Sequence, residues 1–263
     1  MKRLEDKVIV ITGAALGLGY ATALVAAKEG AKLSLVDYNG ETLAKAKKSI
    51  LREYPATEIL DIIADVSDEA AVKAYVDQTV KAYGRIDGFY NNAGIEGRQA
   101  PMTEYDLEVF KKVIDINLLG VYFGMKYIIP VMQQQQYGRI VNVASVGGIR
   151  AVMNQTPYVA SKHAVSGMTK NAALEYGRYG IQTNAIAPGA ILTPMVAEAF
   201  KQVNPADPKK AEDEYAQANP TKRLGKPEEV GKLVCFLLSE DCSYVSGQVI
   251  AIDGGQSNSY GNV

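Results

Sequence analysis

Residues 7 to 19 read Lys7-Val8-Ile9-Val10-Ile11-Thr12-Gly13-Ala14-Ala15-Leu16-Gly17-Leu18-Gly19. Lys7 to Thr12 holds an unbroken apolar run, the pattern of a strand buried on both faces. Glycines follow, then helix-forming residues to about Glu29 and a stop at Gly30. In that order, strand, turn and helix put Gly13, Gly17 and Gly19 where the chain must bend tightly. Backbone N–H groups then gather at a helix N-terminus, where a pyrophosphate can be held. The spacing is Gly-x-x-x-Gly-x-Gly, not the Gly-x-Gly-x-x-Gly of many dinucleotide-binding folds. A turn needed only for packing would use the same residues, so this stretch decides the fold before it decides a ligand.

The alternation continues to the end of the chain. Lys32 to Val36 reads as a second strand closing on Asp37, Glu41 to Glu53 as a helix, and Glu58 to Ala64 as a third strand ending in Asp65-Val66. Ser67 is placed to cap a helix running to about Tyr83. Ile86 to Tyr90 is a fourth strand leading into Asn91-Asn92-Ala93-Gly94. Tyr105 to about Gln136 reads as one long helix, with Gly120 and Gly124 marking a kink or a close approach. Arg139 to Ala144 is a fifth strand ending at Ser145, and the helix of Tyr158 follows to about Arg178. Ile181 to Ala187 ends in Pro188-Gly189, Lys226 to Ser239 is helical, and Gln248 to Ile252 is the last strand. Seven strands alternating with helices predict an α/β chain: one doubly wound parallel sheet of Rossmann type, helices on both faces, in a single domain over residues 1–263. The stretch 189–225 is too long for an ordinary connection and is expected to serve as a substrate loop or lid. It holds apolar Ile191, Leu192, Met195 and Phe200, then a polar helical stretch around Lys209 to Ala218.

Composition excludes several classes. Lys plus Arg, 28, nearly balances Asp plus Glu, 29, so no basic field recruits nucleic acid or anionic lipid. Cys235 and Cys242 make no disulfide framework, and a single histidine, His163, cannot build a multi-histidine metal centre. The charged start Met1-Lys2-Arg3 does not read as a signal peptide, and no apolar run is expected to approach the roughly 18 residues of a membrane span. A cytoplasmic protein without metal, nucleic-acid or membrane partner is expected.

Chemistry-bearing residues fall at strand ends, where ligands bind in such sheets. Asp37, about 20 positions past the glycine turn, can accept hydrogen bonds from ribose hydroxyls and repel a 2′-phosphate, favouring NAD over NADP. Asp65 can receive the adenine amine, or simply end a strand. Tyr158 precedes Lys162 by four residues, so both project from one helix face. Thr156 suits the N-cap and Pro157 the first helical position, which puts Tyr158 in the first turn. Helix dipole and ammonium there both favour a phenolate, and an ordinary phenol titrates near ~10. His163 points about 100° away from that face. Such a tyrosine–lysine pair also occurs on many surface helices.

The set Thr12-Gly13-x-x-x-Gly17-x-Gly19, Asn91-Asn92-Ala93-Gly94, Asn117, Ser145, Tyr158-x-x-x-Lys162 and Pro188-Gly189 with Thr193, in this order, resembles the short-chain dehydrogenase/reductase family over nearly the whole chain. The resemblance implies a hydride-transferring enzyme acting on the CH–OH group of an alcohol or on the matching ketone. Tyr158 would be acid or base, Lys162 would lower its pKa and hold the nicotinamide ribose, Ser145 would hold the substrate oxygen, and Asn117 would anchor a relaying water. It also implies that NAD(H) is held by Gly13, Leu16, Gly17, Leu18, Gly19, Asp37, Tyr38, Asp65, Val66, Asn91, Ala93, Gly94, Pro188, Gly189, Ile191 and Thr193 as well as by Tyr158 and Lys162. Residues 91–97, 144–150, 175–180 and 185–195 are similar to cyclic-diketone reductases within the family. Substrate walls are expected from Val146, Ile149, Met153, Ile191 and Met195, which suit a compact neutral ketone or secondary alcohol. Glu96 is placed to orient a second substrate oxygen or to close a loop ion pair; for Arg150 an ion-paired or solvated role is expected over an anion clamp. Rival readings keep the mechanism with acetoin or butanediol, a sugar or polyol, or an acyl thioester as substrate, or drop catalysis for NAD(H) sensing. Small and apolar residues on the Tyr158 helix, with the family's habit of pairing there, imply a homotetramer or homodimer.

Overall fold

The computed structural model describes residues 2–259; residue 1 and residues 260–263, the ends of the expected domain, lie outside the described residues. Seven parallel strands carry the fold: β1 (Val8–Thr12), β2 (Lys32–Asp37), β3 (Ile59–Ile63), β4 (Gly88–Asn91), β5 (Gly138–Val143), β6 (Ile181–Pro188) and β7 (Val249–Ile252). They lie in one sheet in the order β3-β2-β1-β4-β5-β6-β7. The order reverses between β1 and β4, and a ligand crevice opens at that point in doubly wound sheets.

The helices are α1 (Gly17–Lys28), α2 (Gly40–Glu53), α3 (Glu69–Tyr83), α4 (Leu107–Ile114), α5 (Gly120–Gln135), α6 (Thr156–Tyr176), α7 (Pro194–Val203), α8 (Pro208–Ala218) and α9 (Pro227–Leu237). Strand residues alternate between two cores. Ile9 and Ile11 face one shared with α1, α2 and α9, whereas Val10 faces one shared with α3, α5 and α6. Helices on both faces leave no polar side to a central strand, hence the all-buried β1. On the first face α1 and α9 pack closely, and a Cβ on Gly231 would lie 3.1 Å from the Ala21 carbonyl oxygen.

Local chemistry moves several boundaries. Asp37 is the last residue of β2 and not beyond it. Asp68, not Ser67, caps α3 by accepting from the Ala70 N–H, because Asp65 already takes both the amide and the hydroxyl of Ser67. Gln155 precedes α6, so Thr156 is its first residue and not its cap. The expected helix 105–136 starts later, at Leu107 behind the Asp106 cap, and is interrupted by a π segment at Asp115–Leu119. The disruption therefore falls on Asn117 and not on the glycines. Those serve close approach: a Cβ on Gly120 would sit 2.9 Å from Val66, and one on Gly124 2.7 Å from Phe89. Leu107–Gln135 as a whole is long and apolar enough to cross a membrane, which corrects the expectation that nothing approached that length. Its Val113, Val121, Met125, Ile128 and Met132 are buried within the protein. Between Gly189 and Gly225 lie two helices, α7 and α8, closed at the base by a bridge from Ile191 to Gly225.

Candidate active site

A cavity of about 600 Å³ runs along the carboxyl ends of β1, β2, β4, β5 and β6. At one end lies the glycine turn. Gly13 and Gly17 have φ of +62° and +56°, a conformation in which other residues are strained. Gly19 is behind the turn and not on the cavity wall, where an added Cβ would collide with the Gly13 carbonyl oxygen. The first turn of α1 has no side-chain cap and no acidic residue, so its N–H groups are left to the cavity. That suits the pyrophosphate of a dinucleotide.

Asp37 has both oxygens engaged. Oδ2 accepts from the Ala15 N–H at 3.0 Å and Oδ1 from the Asn39 N–H at 3.1 Å. The carboxylate thus pins the glycine turn to β2 and puts negative charge on the cavity wall, which disfavours a cofactor carrying a 2′-phosphate. Leu16, Leu18, Tyr38, Asp65, Val66, Ala93, Gly94, Pro188, Gly189, Ile191 and Thr193 all line the cavity. Asn91 does not. It is buried, with Nδ2 donating to the Val121 carbonyl at 3.0 Å, because its strand position points it into the sheet face. Its neighbour Asn92 takes the wall position, donating through Nδ2 to the carbonyls of Thr12 and Gly13.

At the other end Ser145, Tyr158 and Lys162 come together on the wall. Ser145 Oγ accepts from the Gly147 N–H at 3.1 Å, fixing the hydroxyl past the end of β5. Lys162 Nζ donates to the Val143 carbonyl at 2.8 Å and lies 5.6 Å from the Tyr158 ring centroid. Burial brings the ammonium down to about 8. Burial also pushes the Tyr158 phenol up to about 12, against a lowering by the Ser145 hydroxyl; the charge of Glu96 adds to the rise. The expected depressed phenol is therefore not set by the protein alone, since desolvation outweighs the Ser145 hydroxyl and Lys162 turns its ammonium to the Val143 carbonyl.

Asn117 is fully buried behind this group. It accepts from the Ile95 N–H and donates to the Ile95 carbonyl, both at 2.8 Å, and its Nδ2 also lies 3.4 Å from Ser161 Oγ. The π segment turns this side chain off the helix axis and onto the loop after β4.

Of the five residues expected to wall the substrate, two line the cavity. Ile191 and Met195 line the cavity, joined by Ile95, Ile116, Pro194 and Val196, which sequence reading passed over. Val146 is buried, Met153 is 85% exposed and Ile149 partly exposed; none of the three lines the cavity. The cause is a 3-10 turn at Val146–Gly148, which sends the chain away from the wall directly after Ser145. Glu96 sits beside the cavity, its Oε1 accepting from the side-chain amides of Gln99 and Gln155. Arg150 is exposed, as the solvated reading expected, has no ion pair among the described residues, and donates to the carbonyl oxygens of Gln256 and Ser259. Gln256 in turn donates to the Tyr215 hydroxyl of α8, so the C-terminal turn ties the loop after Ser145 to the 189–225 segment.

A family model described as Enoyl-(Acyl carrier protein) reductase matches residues 13–257. Levodione reductase of Leifsonia aquatica is 54% identical over 258 residues, 98% of this chain and 97% of that one. Its crystal structure superposes with a TM-score of 0.97 at 53% identity, over 98% of this chain and all of the other. Cyclohexanol dehydrogenase of Acinetobacter sp. (strain SE19) is 37% identical, with 97% of each chain covered. An NAD+-bound xylitol dehydrogenase superposes with a TM-score of 0.93 at 35% identity, over 97% of this chain and 100% of that one. Likeness of this extent, end to end and on the same sheet, makes the chain a member of the short-chain dehydrogenase/reductase family.

Proposed function

We propose that this enzyme moves a hydride between NAD(H) and a compact neutral ketone or secondary alcohol, with a cyclic ketone or diketone as the leading substrate. One observation carries the reading: Ser145, Tyr158 and Lys162 meet at the end of a cavity whose other end is the glycine turn. NAD(H) supplies the hydride donor or acceptor at the nicotinamide ring. Ser145 Oγ holds the substrate oxygen beside the Tyr158 hydroxyl, which gives up its proton to a forming alkoxide or takes one from an alcohol. Lys162 stays mostly protonated at pH 7 and places its charge where a tyrosinate would form. Asn117 holds the loop at Ile95 against this group and keeps the substrate side in register.

The relatives support the substrate class by what their names say they act on: levodione, cyclohexanol and xylitol. The wall of Ile95, Ile191, Met195 and Val196 suits an uncharged ring. A cytoplasmic homotetramer or homodimer belongs to the same reading. The oligomer, and not the location, is supported by exposed Leu107, Leu119 and Tyr122 on the long helix and Leu174 on α6. Tyr158→Phe tests the chemistry. NADH oxidation with cyclic diketones and cyclohexanone is expected to fall by at least ~10³-fold, while NADH binding by fluorescence titration is retained. Undiminished turnover would refute the mechanism, and loss of binding as well would move Tyr158 to a structural role.

A further inference from the structure

Between β6 and α9, the helices α7 and α8 pack on a small core of their own. Phe200, Ala211 and Leu224 are buried there with Val196 and Tyr215 against them, apart from the two cores that flank the sheet. The Phe200 and Tyr215 rings meet edge to face, with 5.6 Å between centroids. Met195 and Val196, in the first turn of α7, line the substrate end of the cavity. Helices that share one packed core shift together, so whatever fixes α8 also fixes that wall.

What fixes α8 is the C-terminal turn. Asn219 closes the base of the helix, donating to the Asp253 carbonyl at 3.0 Å. One turn earlier in α8, the Tyr215 hydroxyl accepts from the Gln256 side-chain amide. Gln256 is buried, and its backbone is firmly held. Its carbonyl accepts from Arg150 at 2.9 Å and from Ser259 Oγ at 2.8 Å, and the Asp253 carboxylate takes the N–H groups on either side, from Gly255 and Ser257. Gln256 Oε1 lies against Gly189, where an added Cβ would come within 2.7 Å of it, and it has no hydrogen-bond partner among the described residues. A buried amide atom left unpaired is destabilising, and a methionine of similar size would avoid that cost. Folding alone therefore does not account for a glutamine here; its bond to Tyr215 does. The ties of α7 to the opposite rim, from Gln202 to Gly97 and Gln99, are exposed, where water competes for them.

We propose that Tyr215 and Gln256 are positioning residues whose hydrogen bond holds the α7–α8 pair to the C-terminal turn and so sets how closely Met195 and Val196 approach the substrate. Neither side chain lines the cavity; both act through the Phe200 contact. Without the bond the apolar wall stands off and grips a compact ring less well. Ser145, Tyr158 and Lys162, carried by the end of β5 and by α6, keep their places. This inference rests on the proposed dehydrogenase function and names what controls the fit of its substrate end.

The test is steady-state reduction of cyclohexanone and of a cyclohexanedione by NADH, using full-length wild type, Tyr215→Phe, Gln256→Met and the double variant. Each single change should raise the ketone KM about fivefold, the size of one neutral hydrogen bond, with kcat and NADH affinity near wild type. The double variant should match either single one, and not reach the roughly 25-fold of independent effects. Melting temperatures should change little, since Phe keeps the ring against Phe200 and Met fills the glutamine's space without an unpaired amide. Multiplying KM effects, or a lower kcat or melting temperature with KM unchanged, would overturn the inference and leave the pair a structural brace. If Gln256→Met does not fold, the separation of KM from kcat in Tyr215→Phe decides alone. A wild type that reduces neither ketone would overturn the proposed function, whereas wild-type turnover with an unmoved KM in Tyr215→Phe would overturn only the positioning role.

Discussion

Asp37 shows how one side chain can be both brace and selector. Its two oxygens accept backbone N–H groups from the glycine turn and from the residue that caps α2, and its charge lies on the cavity wall, where it disfavours a 2′-phosphate. Asp37→Asn removes the charge while keeping one acceptor. The preference of kcat/KM for NADH over NADPH is expected to narrow by about tenfold or more, with a small fall in melting temperature. A wild-type preference for NADPH would overturn the argument. At this scale the sequence was readable where a motif fixes a residue by its neighbours, as with Tyr158 and Lys162. It was unreadable where a one-position shift along a strand decides the outcome. Asn91 and Asn92 are chemically identical, and only the alternation of β4 sends one into the core and the other to the wall.

Elements were legible through periodicity and punctuation, and illegible where hydrogen bonding departs from the regular ladder. Residues 107–135 keep a helical apolar pattern throughout, so nothing in the residue types marks the π segment at Asp115–Leu119. The turn at Val146–Gly148 was equally silent, and it removed Val146, Ile149 and Met153 from the site. The glycine turn is the opposite case, since its spacing already implied a steric need. Gly19→Ala should confirm that need at the level of α1. The new methyl group meets the Gly13 backbone first, and Asn92 Nδ2 as well at 2.8 Å, so the helix must shift. A loss of roughly 2 kcal/mol or more, seen as a lower melting temperature, is expected together with much weaker NADH binding. Unchanged melting and binding would show that α1 has room the geometry denies.

At the scale of the whole molecule, Lys162 is a buried charge. Folded Lys162 holds its proton less tightly than the unfolded chain does, about 8 against an ordinary 10.5. Between those values the unfolded chain binds more protons, so this residue makes stability rise with pH across that window. Tyr158 acts in reverse, since its pKa is raised from 10.0 to about 12 and stability is lost as pH climbs through that range. Lys162→Met should therefore be more stable than wild type at pH 7, by up to roughly 3 kcal/mol, with the gap closing toward pH 10. Melting curves across pH would show it, and a constant gap would assign the difference to packing. The sheet order itself was not legible from alternation alone, which counts strands without saying which are neighbours.

The pairing of α1 with α9 has a consequence in the order of synthesis. Ala23, Ala26 and Ala27 of the first helix are covered in a core that includes Val230 and Val234. These partners leave the ribosome about two hundred residues after the glycine turn. Until then the nascent first half carries an apolar face with nothing to close it, so the growing chain depends on chaperones or on speed. A fragment ending before Pro227 would retain every strand from β1 to β6 and still be expected to aggregate.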